Sequence, residues 1–223
     1  MIANIMTYDD LDAYRQEALR KDQEKRRIEQ IEQYLEKVPL RFKGKTFNDY
    51  HTHIPTQTRI KEITERFSST FSDRLKNGCT LKLLGNPGTG KTLLSLIMYQ
   101  TIAKMGYSVH YEPSLLFLKT LQEKRYESYA AYQAFIDFYK RVHFLVLDEI
   151  TEAITKDGAP SEMERKLLFD VINARYELKE RCTVVISNRN ATDLANRIGQ
   201  STDDRLSENG ILLVFNWDTY RKK

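Results

Sequence analysis

The stretch Gly85-Asn86-Pro87-Gly88-Thr89-Gly90-Lys91-Thr92 lies between two apolar runs, residues 79–84 and residues 93–98. It satisfies the pattern G-x-x-x-x-G-K-[ST] at every fixed position. A strand, a glycine loop and a helix in this order turn successive backbone N–H groups toward one point, where the helix N-terminus adds partial positive charge. The stretch therefore predicts a binding loop for the phosphates of ATP, with Lys91 on the β- and γ-phosphates and Thr92 on Mg²⁺. The alternative is a glycine turn that precedes a core helix by chance.

Two further apolar runs end in polar residues that suit a phosphate site. Residues 143–147 lead into Asp148 and Glu149, and residues 182–187 lead into Asn188. The carboxyl ends of parallel strands meet at the edge of the sheet where ligands of open α/β folds bind. We expect Asp148 to hold Mg²⁺ through its waters and Glu149 to polarise the attacking water. Asn188 can contact the γ-phosphate or that water, or it can cap the following turn.

Apolar runs typical of buried strands alternate with helical patterns along the chain. Because the phosphate loop follows the first strand, this alternation predicts a doubly wound parallel sheet flanked by helices. The expected fold is an α/β sheet of five strands: residues 79–84, 107–111, 143–148, 182–188 and 211–215.

The predicted organisation has three parts: an N-terminal helical extension at residues 1–38, a linker at 39–55 and an ATPase domain at 56–223. The extension carries a narrow apolar stripe at heptad-like spacing, and Pro39 is expected to end its helix. A stripe flanked by charge suits a helix that docks on a partner protein, and the alternative is a solvated helix folded back on the domain. The stripe consists of Ile28, Ile31, Leu35 and Val38.

Composition narrows the class of protein. The chain has 223 residues, with 35 basic and 31 acidic side chains and a net charge of +4, an excess that permits nucleic-acid contact without requiring it. Cys79 and Cys182 are expected to be separate core thiols, because their spacing fits neither a zinc site nor a disulfide framework. The N-terminus lacks the pattern of a signal peptide, and no apolar run has the length of a membrane span. These features predict a soluble, cytoplasmic protein.

Residues 114–141 form two predicted helical segments with many aromatic side chains. Phe135 and Phe138 are expected to lie in the core. Tyrosines next to basic residues are either core residues or a surface that stacks on single-stranded nucleic acid and neutralises its charge. The candidate nucleic-acid residues are Lys119, Lys124, Arg125, Tyr126, Tyr129 and Tyr132.

Several of these stretches together resemble one family. The phosphate loop, Leu-Val-Leu-Asp-Glu at residues 145–149, Ile-Ser-Asn at 186–188, Asp-Arg-Leu at 204–206 and Phe-Asn-Trp-Asp-Thr-Tyr-Arg at 215–221 resemble the DnaC-type helicase loaders. These are AAA+ ATPases of the subgroup that also holds the IstB transposition ATPases. Residues 39–47 are similar to the segment that precedes the ATPase core in these proteins. The most specific part of the resemblance is the C-terminal stretch.

The resemblance implies an AAA+ fold, ATP and Mg²⁺ as cofactors, and roles for individual residues. It implies that Asn188 senses the γ-phosphate and that Arg205 is an arginine finger reaching the ATP site of a neighbouring subunit. From the residues alone, we would expect Arg205 to form an ordinary salt bridge with Asp203, Asp204 or Glu208. The resemblance also implies that the 114–141 insertion contacts single-stranded DNA and that the N-terminal extension binds a replicative helicase. A second sensor role for Arg221 stays open.

The expected function is that of an ATP-dependent loader that delivers a hexameric replicative helicase onto single-stranded DNA. An IstB-like helper of a DNA transposase is the alternative, because it shares the ATPase core. A small-molecule kinase with the same phosphate loop is a third hypothesis, although the sequence shows no insertion that could supply an acceptor site and a lid.

Overall fold

The parallel sheet is present as predicted. A computed structural model describes residues 8–150 and 162–220, apart from the side chains of Asp9 and Asp10. The strands are β1 (Cys79–Gly85), β2 (Val109–Pro113), β3 (Phe144–Asp148), β4 (Cys182–Ser187) and β5 (Gly210–Phe215). They form one sheet in the order β2-β3-β4-β1-β5, and every neighbouring pair is parallel. β1 therefore lies between two partners and holds the start of the phosphate loop in the middle of the fold.

Helices cover both faces of this sheet. In chain order they are α1 (Tyr8–Glu36), α2 (Pro55–Ser69), α3 (Phe71–Leu75), α4 (Lys91–Lys104), α5 (Ser114–Glu127), α6 (Tyr129–Arg141), α7 (Glu162–Glu177), α8 (Ala191–Ile198) and α9 (Gln200–Glu208). Short 3₁₀ turns occur at Leu40–Phe42 and Phe47–Asp49.

The core has two layers because alternate residues of a strand point to opposite faces. On β1, Leu81 and Leu83 are fully buried against the layer made by α2, α3 and α4. Leu84 points the other way, into the layer made by α5 to α9. Both faces of β1 are thus buried, and this packing holds the start of the phosphate loop in place.

The helix predicted at residues 56–77 is divided in two. α2 ends at Ser69, and α3 begins at Phe71. The Thr70 hydroxyl between them donates to the Arg66 carbonyl at 2.7 Å, a side-chain bond that competes with the helical ladder. The apolar face is continuous across the break, since Phe67, Phe71 and Leu75 are all buried.

The N-terminal extension is one helix of 29 residues. Among the described residues, its hydrogen bonds to the domain come from its C-terminal part: Arg27 donates to the Met105 carbonyl, and the Tyr99 hydroxyl donates to the Tyr34 carbonyl at 3.0 Å. Val38, just beyond the helix, is 3% exposed and belongs to the core. The end of the predicted stripe is therefore domain core, whereas Ile28 remains about half exposed.

The segment predicted as a linker packs on the domain. The Gln100 side chain of α4 accepts from the Gly44 N–H at 2.8 Å and donates to the Phe42 carbonyl at 3.0 Å. Tyr50 is 2% exposed and packs with the core. The boundaries at residues 38 and 55 stay predictions, but residues between them contribute to the same core as the sheet.

The prediction of two separate core thiols is wrong. Cys79 and Cys182 face each other in register on β1 and β4, and a disulfide joins them. Their Cα atoms are 4.7 Å apart, although 103 residues separate them in the sequence. The pairing depends on the order of the strands, which spacing along the chain does not reveal.

Candidate nucleotide-binding site

The phosphate loop has the conformation that its glycines allow. Gly85, Gly88 and Gly90 all have positive φ angles. A Cβ atom on Gly85 would lie 2.3 Å from the Phe215 carbonyl oxygen, and one on Gly90 would lie 2.6 Å from the Tyr50 ring. Any larger residue at these two positions would displace either β5 or the Tyr50 side chain. The loop also folds on itself, because the Thr89 hydroxyl donates to the Asn86 carbonyl at 2.7 Å.

Lys91 begins α4 and points back into the loop. Its ammonium group donates to the carbonyl oxygens of Gly85 at 2.8 Å and Asn86 at 2.6 Å. The side chain is 5% exposed. A buried ammonium at the start of a helix places positive charge at the loop, as the binding of a phosphate chain requires.

Asp148 and Thr92 meet at the start of α4. The Thr92 hydroxyl donates to Asp148 Oδ2 at 2.8 Å, and the Tyr111 hydroxyl donates to the same oxygen at 3.0 Å. Burial raises the pKa of Asp148, and the two hydroxyl donors act in the opposite direction. Its other oxygen, Oδ1, is buried and has no hydrogen-bond partner in the described part of the chain.

These oxygens suit Mg²⁺. This ion is held in nucleotide sites by one or two protein oxygens together with water and phosphate. The Thr92 hydroxyl and the unsatisfied Asp148 Oδ1 provide such a pair, and a bound cation would offset the cost of burying the carboxylate. Tyr111 was not predicted as a site residue. Its contact with Asp148 follows from the pairing of β2 with β3, which places Tyr111 opposite Val146, two residues before Asp148.

Glu149 and Asn188 face the same pocket. Lys91, Thr92, Asp148, Glu149 and Asn188 all line a cavity of about 450 Å³. Glu149 is exposed and adopts φ of +57°, a left-handed conformation that is strained for a non-glycine residue. The turn after β4 is capped by Asn190, whose side chain accepts from the Asp193 N–H at 2.9 Å. Asn188 therefore does not serve as that cap.

Aromatic residues from both ends of the domain complete the pocket. Tyr50, His51 and His53 line it from the segment before α2, and Tyr220 lines it from the segment after β5. The Tyr220 N–H donates to the Gly88 carbonyl at 2.9 Å, and its hydroxyl donates to the His51 carbonyl at 3.0 Å. Sequence reasoning missed Tyr50, His51 and His53 because it treated residues 39–55 as a linker, and it considered Tyr220 only as part of the C-terminal stretch that resembles the family. The aromatic and histidine cluster at residues 50–53 was the available signal.

Arg205 lies on α9, away from the pocket of its own chain. It donates to the Asn173 side-chain oxygen at 2.6 Å and to the Ser201 carbonyl at 2.9 Å, and its guanidinium lies 4.6 Å from the Phe169 ring centroid. The alternative expectation, a salt bridge to a neighbouring acid on the helix, is wrong for the part of the chain described. Asp203 instead pairs with Lys82 of β1 at 2.6 Å.

The predicted nucleic-acid residues do not form one surface. Tyr126 and Tyr129 are 75% and 78% exposed at the junction of α5 and α6. Tyr132 is buried and donates to Asp170 at 2.6 Å, so its prediction as a stacking residue is corrected. The core prediction for Phe138 is also wrong, because its side chain is 48% exposed.

The basic residues of this insertion mostly have partners. Lys119 pairs with Glu123, and Lys124 pairs with Glu127. The Arg125 guanidinium lies 5.9 Å from the Tyr132 ring centroid. Arg125 therefore remains the basic residue most available to a ligand beside Tyr126 and Tyr129.

Comparisons with known proteins show the family of the chain. The profile described as "IstB-like ATP binding protein" matches residues 6–223. The chain belongs to this family. The replicative helicase loader DnaC of Escherichia coli strain K12 is 22% identical over 180 residues, which are 80% of this chain and 69% of DnaC. The ATP-binding protein of insertion sequence IS21 from Pseudomonas aeruginosa is 28% identical over 168 residues, which are 73% of this chain and 59% of that protein.

Structural similarity confirms the fold. The crystal structure of the DnaC helicase loader superposes with a TM-score of 0.69 at 22% identity, covering 80% of this chain and all of the DnaC chain. The fold is therefore the AAA+ P-loop fold that the sequence predicted. Arg221, the residue considered as a second sensor, lies outside the described residues. Within the described ranges, no helix combines the length and apolar character that a membrane crossing requires.

Proposed function

We propose that this protein hydrolyses ATP to deliver a hexameric replicative helicase onto single-stranded DNA. The observation that carries the proposal is the gathering of Lys91, Thr92, Asp148, Glu149 and Asn188 around one pocket. Lys91 is a cation for the phosphates, and Thr92 and Asp148 supply oxygens that can bind a metal. Glu149 is an exposed carboxylate and Asn188 is a polar residue beside the phosphate loop. ATP hydrolysis requires groups of these kinds.

Each residue has a separate task in the proposed reaction. Lys91 binds the β- and γ-phosphates, and Thr92 with Asp148 holds Mg²⁺. When bound, Mg²⁺ supplies charge neutralisation for the phosphate chain. Glu149 accepts a hydrogen bond from the attacking water and so increases its nucleophilicity. Asn188 orients that water or the γ-phosphate, since its amide can both donate and accept.

The choice of a helicase as the partner is supported by DnaC, to which 80% of the chain is similar. The second candidate is a helper of a DNA transposase, and it is supported by the similarity to the IS21 protein over 73% of the chain. The two candidates share the ATP site and differ in the partner, so a direct test of the partner separates them.

We expect the free part of α1 to bind the helicase. Leu11 and Tyr14 are exposed on one face of α1, far along the helix from its contacts with the domain. Changing both to alanine is expected to abolish capture of purified replicative helicase, because the partner would lose its apolar contact. The same change on the polar face, Gln16→Ala with Gln23→Ala, provides the matched control.

The outcome separates the candidates. Helicase capture by wild type and by the control, but not by the Leu11/Tyr14 variant, supports the loader. Capture of a purified transposase and not of the helicase supports the second candidate. Substitution on the surface is preferable to deleting residues 1–38, because Val38 belongs to the domain core.

Single-stranded DNA is the proposed second ligand, with Tyr126 and Tyr129 as stacking residues. Changing both to alanine is expected to weaken binding of an oligothymidylate by roughly 1–3 kcal/mol for each base that loses its stacking partner. Fluorescence anisotropy measures the affinity, and its salt dependence reports phosphate contacts such as Arg125. Tyr14→Ala, which removes another exposed tyrosine, from α1, is the control. Unchanged DNA affinity in the Tyr126/Tyr129 variant would contradict the assignment.

A further inference from the structure

Arg41 lines the nucleotide pocket, although it lies in the segment that the sequence suggested was a linker. It shares the cavity with Lys91, Asp148 and Glu149. Tyr111, which is not among the residues that line this cavity, donates its hydroxyl to Asp148 at 3.0 Å. Arg41 therefore lines the same cavity as Thr92 and Asp148, the residues proposed to hold the metal.

The backbone around Arg41 is fixed to the phosphate-loop helix. Gln100 of α4 is 3% exposed. Its side-chain amide donates to the Phe42 carbonyl and accepts from the Gly44 N–H, so it contacts both sides of the turn that follows Arg41. The same helix begins with Lys91. A single rigid helix thus sets the position of Arg41 relative to the residues that bind phosphate.

The Arg41 side chain is held by an aromatic contact, and in the described part of the chain it has no polar partner. Its guanidinium carbon lies 4.5 Å from the centroid of the Phe42 ring, a stacking contact that limits its movement. Within residues 8–150 and 162–220 it makes no hydrogen bond or ion pair with another side chain. Arg175, by contrast, is buried and donates to Thr183 and to three backbone carbonyls. The donors of Arg41 are available to a ligand.

The charged groups of the pocket indicate which ligand would bind the donors of Arg41. Asp148 and Glu149 are carboxyl residues, and Lys91 supplies the ammonium group of the loop. Asp49, another carboxylate of the lining, is already paired with Lys45 at 2.8 Å. A nucleoside triphosphate would add negative charge beside two carboxylates, and a guanidinium matches phosphate oxygens with two parallel donors.

Resting on the proposed ATP site, we propose that Arg41 binds the terminal phosphate of the nucleotide held by its own chain. It acts in cis, from the segment before α2, and distinguishes a triphosphate from a diphosphate. The competing explanation is an exposed arginine that stacks on Phe42 and contacts only water, and it predicts no change in nucleotide affinity when Arg41 is replaced.

The test compares affinities for the ATP analogue AMPPCP and for ADP, both with Mg²⁺. It uses the full chain carrying Arg205→Ala, so that an arginine from a second copy contributes nothing. Arg41→Ala is expected to weaken AMPPCP binding by about 10- to 100-fold, the range for losing a hydrogen bond to a charged group, and to change ADP binding far less. Arg41→Lys keeps the positive charge but loses the two parallel donors of the guanidinium, so it is expected to retain part of the affinity for AMPPCP.

Lys43→Ala is the matched control, because Lys43 is an exposed cation two residues away. Unchanged AMPPCP affinity in Arg41→Ala, with normal thermal unfolding, overturns the proposal. Equal losses for AMPPCP and ADP also overturn it, since a terminal-phosphate contact cannot act on ADP. If Lys91→Ala weakens binding while Arg41→Ala does not, the ATP site stands and only this assignment fails. Absence of nucleotide binding by the parent chain would reject both.

Discussion

Lys91→Ala is expected to abolish ATP binding, whereas Glu149→Gln is expected to keep binding and lose hydrolysis. Lys91 is a buried ammonium inside the phosphate loop, so its removal deletes the loop's own positive side chain. Glu149 is an exposed carboxylate at the edge of the same pocket. Its amide variant preserves shape but cannot accept a proton from water, and general-base catalysis contributes roughly 10²–10⁴-fold to rate.

The measurement is nucleotide affinity by titration calorimetry together with steady-state phosphate release. Lys104→Ala, at the opposite end of α4 from the phosphate loop, is the control for losing a lysine from this helix. Equal loss of ATP affinity in Lys91→Ala and Glu149→Gln would remove the assignment of separate roles. Full hydrolysis by Glu149→Gln would reject Glu149 as the residue that activates water.

The two carboxylates at the end of β3 differ because the backbone turns between them. Asp148 is the last residue of the strand, is 4% exposed and receives hydrogen bonds from Thr92 and Tyr111. Glu149 follows with a positive φ, which directs its side chain out of the strand and into the open pocket. One residue is therefore suited to hold a cation and the next to meet water.

The sequence was sufficient where the position of a residue depends on its neighbours along the chain. The phosphate loop and the β3 tip are each contiguous, so strand periodicity and motif spacing predicted their positions. The parallel sheet also followed from alternation of strands and helices. Asn188 was predicted because the carboxyl ends of parallel strands meet at one edge.

The sequence was not sufficient to predict contacts that depend on strand order or on long-range packing. The Cys79–Cys182 disulfide requires β1 and β4 to be neighbours, and the Tyr111 contact requires β2 beside β3. Periodicity on α6 did not distinguish the buried Tyr132 from the exposed Phe138, because both lie on a helix that is apolar on more than one side. The pocket aromatics at residues 50–53 were missed because they lie outside regular elements.

The Lys82–Asp203 pair shows how the fold connects the phosphate loop to α9. Lys82 is a β1 residue with a side chain that is 8% exposed, and its ammonium group contacts both Asp203 and Ser207 at 2.6 Å. A buried ion pair is costly to break when only one partner is removed. α9 is thus held against the strand that carries the loop, and Arg205 projects from a fixed support.

Mixing Arg205→Ala protein with Lys91→Ala protein is expected to restore ATPase activity that neither variant has alone. In the proposed assembly, Arg205 of one copy reaches the γ-phosphate bound by its neighbour. Such an arginine can raise hydrolysis by roughly 10³–10⁵-fold, because it offsets charge that develops in the transition state. Arg205→Ala keeps a working phosphate loop and Lys91→Ala keeps a working arginine, so a mixed interface contains one complete site.

The intrachain contacts of Arg205 make this mixture the decisive measurement. Arg205 bonds Asn173 and Ser201 and stacks on Phe169, so its loss could lower activity by disturbing α9. If Arg205→Ala lowers activity by disturbing α9, adding Lys91→Ala protein, which cannot bind ATP, will not restore hydrolysis. If it lowers activity because the arginine is missing in trans, the Lys91→Ala protein supplies that arginine and hydrolysis returns. The recovered rate should rise with total protein concentration, and Arg74→Ala, which removes an exposed arginine of α3, should behave as wild type. A wild-type rate for Arg205→Ala, measured where the wild-type protein is assembled, would reject the finger assignment.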